Sequence, residues 1–145
     1  MGLYRQLRCL SLQKLLTAGH VLPRALPVPS QPKTAYQSDS AVSFLGCLCA
    51  EADFILPNLT EAAFLTDMPY EDGSDRRYVD EIMERLIALG CKNIILKGLP
   101  SKNGNYIGIL MYVDGKMDYY EHEKLANSCH GTGDIYASAF VGALA

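Results

Sequence analysis

The sequence predicts an α/β fold with a mostly parallel sheet and a β-hairpin at one side. Two short apolar runs bounded by turn residues are typical of buried parallel strands, and segments with helical periodicity lie between and after them. Two further strand-like runs are joined through Asp114 and Gly115, a strong hairpin signal. The order of strand, helix, strand, hairpin and helix is that of an α/β domain.

The first elements are a strand between two helices. Residues 44–52 have the pattern of a helix end, and the apolar run that follows predicts a buried strand stopped by Pro57. Residues 59–67 then predict a second helix. Because ligands collect at the carboxyl ends of parallel strands, Asn58 and Glu61 become candidates for a site.

The next elements are a long amphipathic helix, a strand and the hairpin. Apolar residues recur at helical spacing through residues 79–89, with charged residues on the other face, and Gly90 is placed to end the helix in a left-handed conformation. Residues 92–98 predict the second buried strand. Residues 106–123 form the two arms of the hairpin.

Composition places the chain among ordinary globular domains. Its 145 residues suffice for one domain with a real core, 49% of them are apolar, and the net charge of −3 gives no support for nucleic-acid binding. No apolar run approaches the ~18 residues that a membrane span needs. Five cysteines without a CxxC pair favour free thiols in a reducing, cytoplasmic compartment over a disulfide framework or a zinc site.

The first 45 residues differ from the rest. They carry five basic side chains and one acidic one, whereas the remaining 100 carry eight and fifteen. The start is leucine-rich, contains arginine and lacks acids, as a mitochondrial presequence does, and four prolines between Pro23 and Pro32 predict an extended linker. We therefore divide the chain into an unmatched, irregular or misread segment, residues 1–45, and a folded domain, residues 46–145.

The start of the last helix is a candidate anion site. Gly131 and Gly133 allow a tight turn, so the backbone amides around Thr132 can point together at the positive end of the helix dipole. Asp134 follows in the first turn, where a carboxylate beside bound phosphates could take a proton from an attacking hydroxyl. The alternative is that Thr132 only caps the helix and Asp134 complements its dipole.

Two further positions at the sheet edge are candidates for the same chemistry. Asn58 and Glu61 have the spacing of a capping box, yet the Glu61 carboxylate could also hold a hydrated Mg²⁺ against nucleotide phosphates. Lys97 ends the second strand, where it is either solvated or neutralises phosphate charge.

These segments resemble the ribokinase-like superfamily, which carries Asn-x-x-Glu after one strand and Gly-x-Gly-Asp at a later helix start. The stretches "ADFILPNLTEAAFLT", "YVDEIMERLIALG" and "YYEHEKLANSCHGTGDIYASAFVGAL" are similar to its pyridoxal kinase branch. The resemblance covers about residues 47–145. It implies a partial ribokinase-like three-layer sandwich.

The resemblance also implies a reaction and its residues. It implies ATP-dependent phosphorylation of the hydroxymethyl group of pyridoxal, pyridoxamine or pyridoxine, with Mg²⁺ and a monovalent cation as further cofactors. Asp134 matches the catalytic base, and Gly131, Thr132 and Gly133 match the anion hole. Asn58 and Lys97 match nucleotide contacts, and Glu61 matches the acid that organises Mg²⁺ and ATP.

Departures from the family leave alternatives open. The strands that hold the ring in this family have no counterpart in residues 1–45, and the apolar last helix reaches Ala145 without a stop signal, so the chain is expected to be a fragment. The alternatives are a non-catalytic remnant that binds only nucleotide or a full-length subunit, and a hydroxymethylpyrimidine kinase. The family resemblance further implies a homodimer, and the composition predicts no nucleic acid or membrane partner.

Overall fold

The computed structural model describes residues 9–10, 46–72, 75–125 and 132–144, which form one five-stranded sheet with helices on both faces. The strands follow chain order, β1 to β5, and four of the five run in one direction, because β4 is antiparallel to both of its neighbours. The described strands are β1 (Cys9–Leu10), β2 (Phe54–Ile55), β3 (Ile94–Pro100), β4 (Tyr106–Val113) and β5 (Lys116–Glu123).

The helices lie where the sequence predicts them. The described ones are α1 (Leu59–Leu65), α2 (Arg76–Ala88) and α3 (Thr132–Leu144), and residues 46–51 are also helical. In the described part of the chain, no helix is both long and apolar enough to cross a bilayer. The α/β fold and its three layers are therefore confirmed.

Alternate residues of β3 are buried in two separate cores, one on each face of the sheet. Ile94 and Leu96 pack with α1 and α2 on one face, whereas Ile95 packs with Ile109 and α3 on the other. This alternation is the two-residue period of a strand covered on both sides. We call these the α2 face and the α3 face of the sheet.

The end of α2 fixes the entry of the chain into β3. Gly90 has a φ of +91°, as the sequence predicts, its N–H donates to the Ile87 carbonyl (2.9 Å), and the Cys91 N–H donates to the Leu86 carbonyl (3.2 Å). This is the Schellman arrangement, which needs a residue without a Cβ at the left-handed position. The Leu86 and Cys91 side chains are both buried beside it.

The hairpin also forms where the sequence places it. Asp114 and Gly115 have φ values of 50° and 78°, both in the left-handed region that a two-residue hairpin turn requires. Tyr119 of β5 lies across Gly108 of β4 so closely that a Cβ at position 108 would stand 2.3 Å from the Tyr119 hydroxyl. Gly108 therefore has a packing role in the hairpin.

One described strand falls in the segment for which the sequence predicted no regular structure. β1 pairs in parallel with β2, with Cys9 opposite Phe54. The division of the chain at residue 45 stays a prediction.

Candidate active site

The first candidate pair, Asn58 and Glu61, joins β2 to α1. The Glu61 N–H donates to Asn58 Oδ1 (2.8 Å), and the Asn58 N–H donates to Glu61 Oε2 (3.0 Å). This is the complete capping box that the spacing predicts. It holds the Glu61 side chain, which is only 5% exposed, at the carboxyl-terminal edge of the sheet.

Burial and neighbouring charged side chains shift the pKa of the Glu61 carboxyl. Burial raises the pKa of the Glu61 carboxyl above its usual range, and the hydrogen bond from Asn58 and the charge of Lys97 oppose that rise. The charge of Asp134 acts on the same carboxyl and raises its pKa further. Charged side chains from β3 and α3 therefore both act on the Glu61 carboxyl of α1 at this edge of the sheet.

Lys97 reaches this edge through its backbone position in β3. Its N–H donates to the Pro57 carbonyl (2.9 Å), and it forms a parallel bridge with Asn58. On the α3 face, Lys97 Nζ lies 5.6 Å from the centre of the Tyr136 ring. A cation over an aromatic face is attracted by the ring quadrupole, so Tyr136 contributes to the placement of the ammonium group.

The register of β3 shifts immediately after Lys97. The ladder to β4 is irregular between Lys97 and Leu99, and Gly98 between them has a φ of +82°. A bulge of this kind re-aims the side chains that follow it and needs glycine at the left-handed position. Accordingly, Leu99 returns to the core of the α2 face, while Lys97 remains on the α3 face.

The start of α3 supplies the remaining candidates. α3 begins at Thr132, so Thr132, Gly133 and Asp134 form its first turn, with Thr132 exposed and the other two half-buried. The first N–H groups of a helix have no partner within the helix and attract anions. Gly131 lies outside the described residues. Asp134 also complements the helix dipole from this position, so the structural interpretation of the acid remains compatible with the geometry.

The carboxylates of this edge suit a magnesium ion that is shared with a nucleotide. Within the described residues, no group of three or more His, Cys, Asp or Glu side chains could form a cage for a metal. Mg²⁺ is commonly held by one or two carboxylates together with water and substrate phosphates, and Glu61 and Asp134 could supply those carboxylates. A cation would also offset the burial that raises the pKa of Glu61.

Sequence reasoning missed two residues of this edge, Gly98 and Tyr136. Gly98 lies inside a strand, where glycine often marks a bulge, so the Lys97-Gly98 pair carried a usable signal. Tyr136 had no such signal, because its contact with Lys97 depends on how α3 returns across the sheet.

A cavity of about 260 Å³ lies elsewhere, on the α2 face. It is lined by Arg76, Leu99, Lys102, Tyr119 and neighbouring residues, and by none of the described candidate residues. The convergent charges of Glu61, Lys97 and Asp134 therefore lie outside this cavity, at the sheet edge.

Comparisons with known proteins identify the family of the chain. A model of the phosphomethylpyrimidine kinase family matches residues 28–145. A hydroxymethylpyrimidine/phosphomethylpyrimidine kinase of Bacillus subtilis is 30% identical over 105 residues, which are 71% of this chain and 37% of that relative. The chain thus spans little more than a third of the length of this curated relative.

Two solved structures extend the similarity to the fold. A protein from Bacteroides thetaiotaomicron assigned as a phosphomethylpyrimidine kinase, crystallised with pyridoxal, is 26% identical with a TM-score of 0.63. Pyridoxal kinase of Lactobacillus plantarum is 28% identical with a TM-score of 0.60. Each similarity covers 82% of this chain and 42% of the other.

Proposed function

Since this chain belongs to the phosphomethylpyrimidine kinase family, we propose that it derives from an enzyme that transfers the terminal phosphate of ATP to the hydroxymethyl group of a small vitamin ring. The observation that carries the proposal is that Lys97 bridges Asn58 at the sheet edge, and that Lys97 and Asp134 both lie close enough to Glu61 for their charges to affect its pKa. The ring is pyridoxal or a related B6 vitamer, as the sequence resemblance implies, or a hydroxymethylpyrimidine.

Each group at the edge has a role in this reaction. The amides of Thr132 and Gly133, which have no partner within the helix, hold the phosphate that is transferred together with Gly131. Asp134 accepts the proton of the attacking hydroxyl, and Lys97 neutralises phosphate charge. Glu61, held by Asn58, organises Mg²⁺, which when bound neutralises charge on the nucleotide phosphates. Catalysis of this kind depends mostly on positioning and electrostatics.

The pyrimidine substrate has support of its own. The matching family model and the curated Bacillus subtilis relative are both named for pyrimidine kinases. Support for pyridoxal comes from the Lactobacillus plantarum kinase and from the pyridoxal in the Bacteroides thetaiotaomicron crystal. Both substrates carry the same reacting alcohol, so the residues described here serve either one.

The decisive experiment measures ATP-dependent phosphorylation of both alcohols by the purified chain and by an Asp134→Asn variant. Loss of the general base should lower turnover by about 10²- to 10⁴-fold. Asp118→Asn, which removes an exposed acid from β5, is the matched control and should leave turnover unchanged. An Asp134→Asn variant with wild-type turnover would contradict the assigned base.

A second candidate function is a non-catalytic remnant that only binds nucleotide or a full-length subunit. The sequence leaves this alternative open, and the similarity to the Bacillus subtilis relative covers 37% of that protein. Binding of a non-hydrolysable ATP analogue without turnover of either alcohol would support the remnant, and measurable turnover would exclude it. The homodimer and the cytoplasmic location remain predictions.

A further inference from the structure

Tyr136 of α3 contacts both the apolar core of the α3 face and the Lys97 ammonium group. Its half-buried side chain packs against the cluster of Leu56, Ile95 and Ile109. Lys97 follows Ile95 by two residues on the same face of β3, and its Nζ lies over the Tyr136 ring, 5.6 Å from the ring centre. One aromatic side chain of α3 is therefore held by the core and in turn holds a cation of the candidate site.

The position of Tyr136 in α3 directs its side chain towards the start of that helix. Every Cα–Cβ bond of a helix tilts towards the N-terminus, so a side chain covers the turn that precedes its own Cα. For Tyr136 this is the first turn, which begins with Thr132 and Gly133. The ring that carries the Lys97 ammonium therefore covers the turn whose amides face the transferred phosphate in the proposed reaction.

We propose that Tyr136 is a positioning residue that holds the Lys97 ammonium against the terminal phosphate of a bound nucleoside triphosphate. The pair would then distinguish a triphosphate from a diphosphate, because only the triphosphate extends a phosphate to the start of α3. The inference rests on the proposed function, since it takes the start of α3 as the site of the transferred phosphate. It goes beyond that function by assigning the discrimination between nucleotides to Tyr136 and Lys97.

A lysine needs such a partner to present its charge at one point. The ammonium group is a compact charge on a flexible stem of four carbons, and this freedom is lost when the charge is fixed against a phosphate. The ring restricts the ammonium before the nucleotide binds, so less conformational entropy is lost on binding. The Glu61 carboxylate competes for the same cation, since the charge of Lys97 acts on it. Without the ring, the ammonium would shift towards Glu61, and less positive charge would face the phosphate.

The test measures how strongly the whole chain prefers a non-hydrolysable ATP analogue to ADP, from the two dissociation constants determined by calorimetry with Mg²⁺. Tyr136→Leu removes the ring and should lower this preference by about 3- to 10-fold, because only binding of the analogue is weakened. Tyr136→Phe should keep the preference of wild type, because the attraction for the cation belongs to the ring and not to the hydroxyl group.

Phe140→Leu is the matched control for packing. Phe140 is a second aromatic residue of α3 that packs against the same cluster, and its ring contacts that of Phe54. Loss of the Phe140 ring removes a packing contact of α3 with the sheet but leaves the contact between Lys97 and Tyr136 in place. The preference for the analogue should therefore stay at the wild-type value.

A second measurement detects the contact itself without any nucleotide. In a chain that contains ¹³C-labelled lysine, the ring current of Tyr136 should shift the ε-methylene protons of Lys97 upfield from those of the exposed Lys102. Loss of the signal in Lys97→Arg assigns it. The upfield shift should persist in Tyr136→Phe and vanish in Tyr136→Leu.

Failure of the inference can be told apart from failure of the proposed function. If wild type binds neither nucleotide, the proposed function is wrong and the inference falls with it. If wild type binds the analogue but Tyr136→Leu keeps the same preference, or Phe140→Leu loses it equally, only the inference is overturned. An unshifted Lys97 signal in wild type would also overturn the inference, even if Tyr136→Leu does not fold.

Discussion

The two faces of the sheet differ in how completely they are covered. On the α2 face, side chains from three helices and three strands form a continuous buried core. On the α3 face, the buried core formed by described residues consists of Leu56, Ile95 and Ile109, and α3 covers them with half-buried side chains. No described residue of α3 is itself buried, and Ile135 is 70% exposed. Stability therefore resides mainly on the α2 face.

The candidate active site draws on both faces. Glu61 is buried in the first turn of α1, a helix of the well-covered face, whereas Asp134 and Tyr136 belong to α3. Lys97 lies between them in β3 and contacts the α3 side. α3 contacts the sheet through a small apolar cluster, in which the rings of Phe54 and Phe140 meet edge to face at 5.2 Å. Substitutions on the two faces should therefore separate stability from site geometry.

The largest effect should come from a cavity in the core of the α2 face. Leu86 is 0% exposed, so Leu86→Ala removes its packing and should lower the free energy of unfolding by about 2–5 kcal/mol. Urea denaturation measures this change. The control on the other face is Ile135→Ala, which should change stability by no more than about 0.5 kcal/mol. Equal losses in the two variants would contradict the difference between the faces.

Short-range signals explain how much of the fold could be predicted from the sequence. The hairpin turn at Asp114 and Gly115 and the left-handed stop at Gly90 depend on neighbouring residues only, and both are confirmed. β1 could not be predicted, because two residues carry no period and the pairing of Cys9 with Phe54 joins distant parts of the chain. Long-range pairing leaves no local pattern in a strand this short.

In the candidate site too, features that depend on local sequence signals could be predicted, and features that depend on long-range packing could not. The rule for parallel strands placed Asn58 and Lys97 at one edge, and the structure joins them in a bridge. The nearness of Asp134 to Glu61 depends on how the chain returns to the sheet after the hairpin, which no spacing encodes. The face taken by Lys97 depends on alternation along β3, and the bulge at Gly98 ends that alternation.

A smaller effect should come from the cap that holds Glu61. Asn58→Ala removes the acceptor for the Glu61 N–H and should destabilise the chain by about 0.5–2 kcal/mol, since an N-cap is lost from a buried helix end. Urea denaturation again measures the loss. Asn105→Ala, in the loop before β4, is the matched control, and it should have little effect because Asn105 is exposed. If both variants lose the same stability, the cap is not what stabilises this edge.

The smallest effect should be a dependence of stability on pH that is caused by the ionisation of Glu61. Burial raises the folded-state pKa of this carboxyl above its unfolded value, so its ionised form is disfavoured by folding. Its contribution to stability is then fully present below the unfolded pKa and is lost as pH rises through the folded pKa.

Glu61→Gln tests this dependence, since glutamine can still reach back to the Asn58 N–H but cannot ionise. Relative to wild type, the variant should gain stability as the pH rises from acid to neutral, by at most about 1.4 kcal/mol for each unit by which the pKa is raised. Urea denaturation across that range measures the difference. If the difference in free energy of unfolding between the variant and wild type is the same at every pH, the charge of Lys97 fully compensates the burial of Glu61. The buried carboxylate would then be as stable within the fold as in water, and it would need no bound cation to offset its burial.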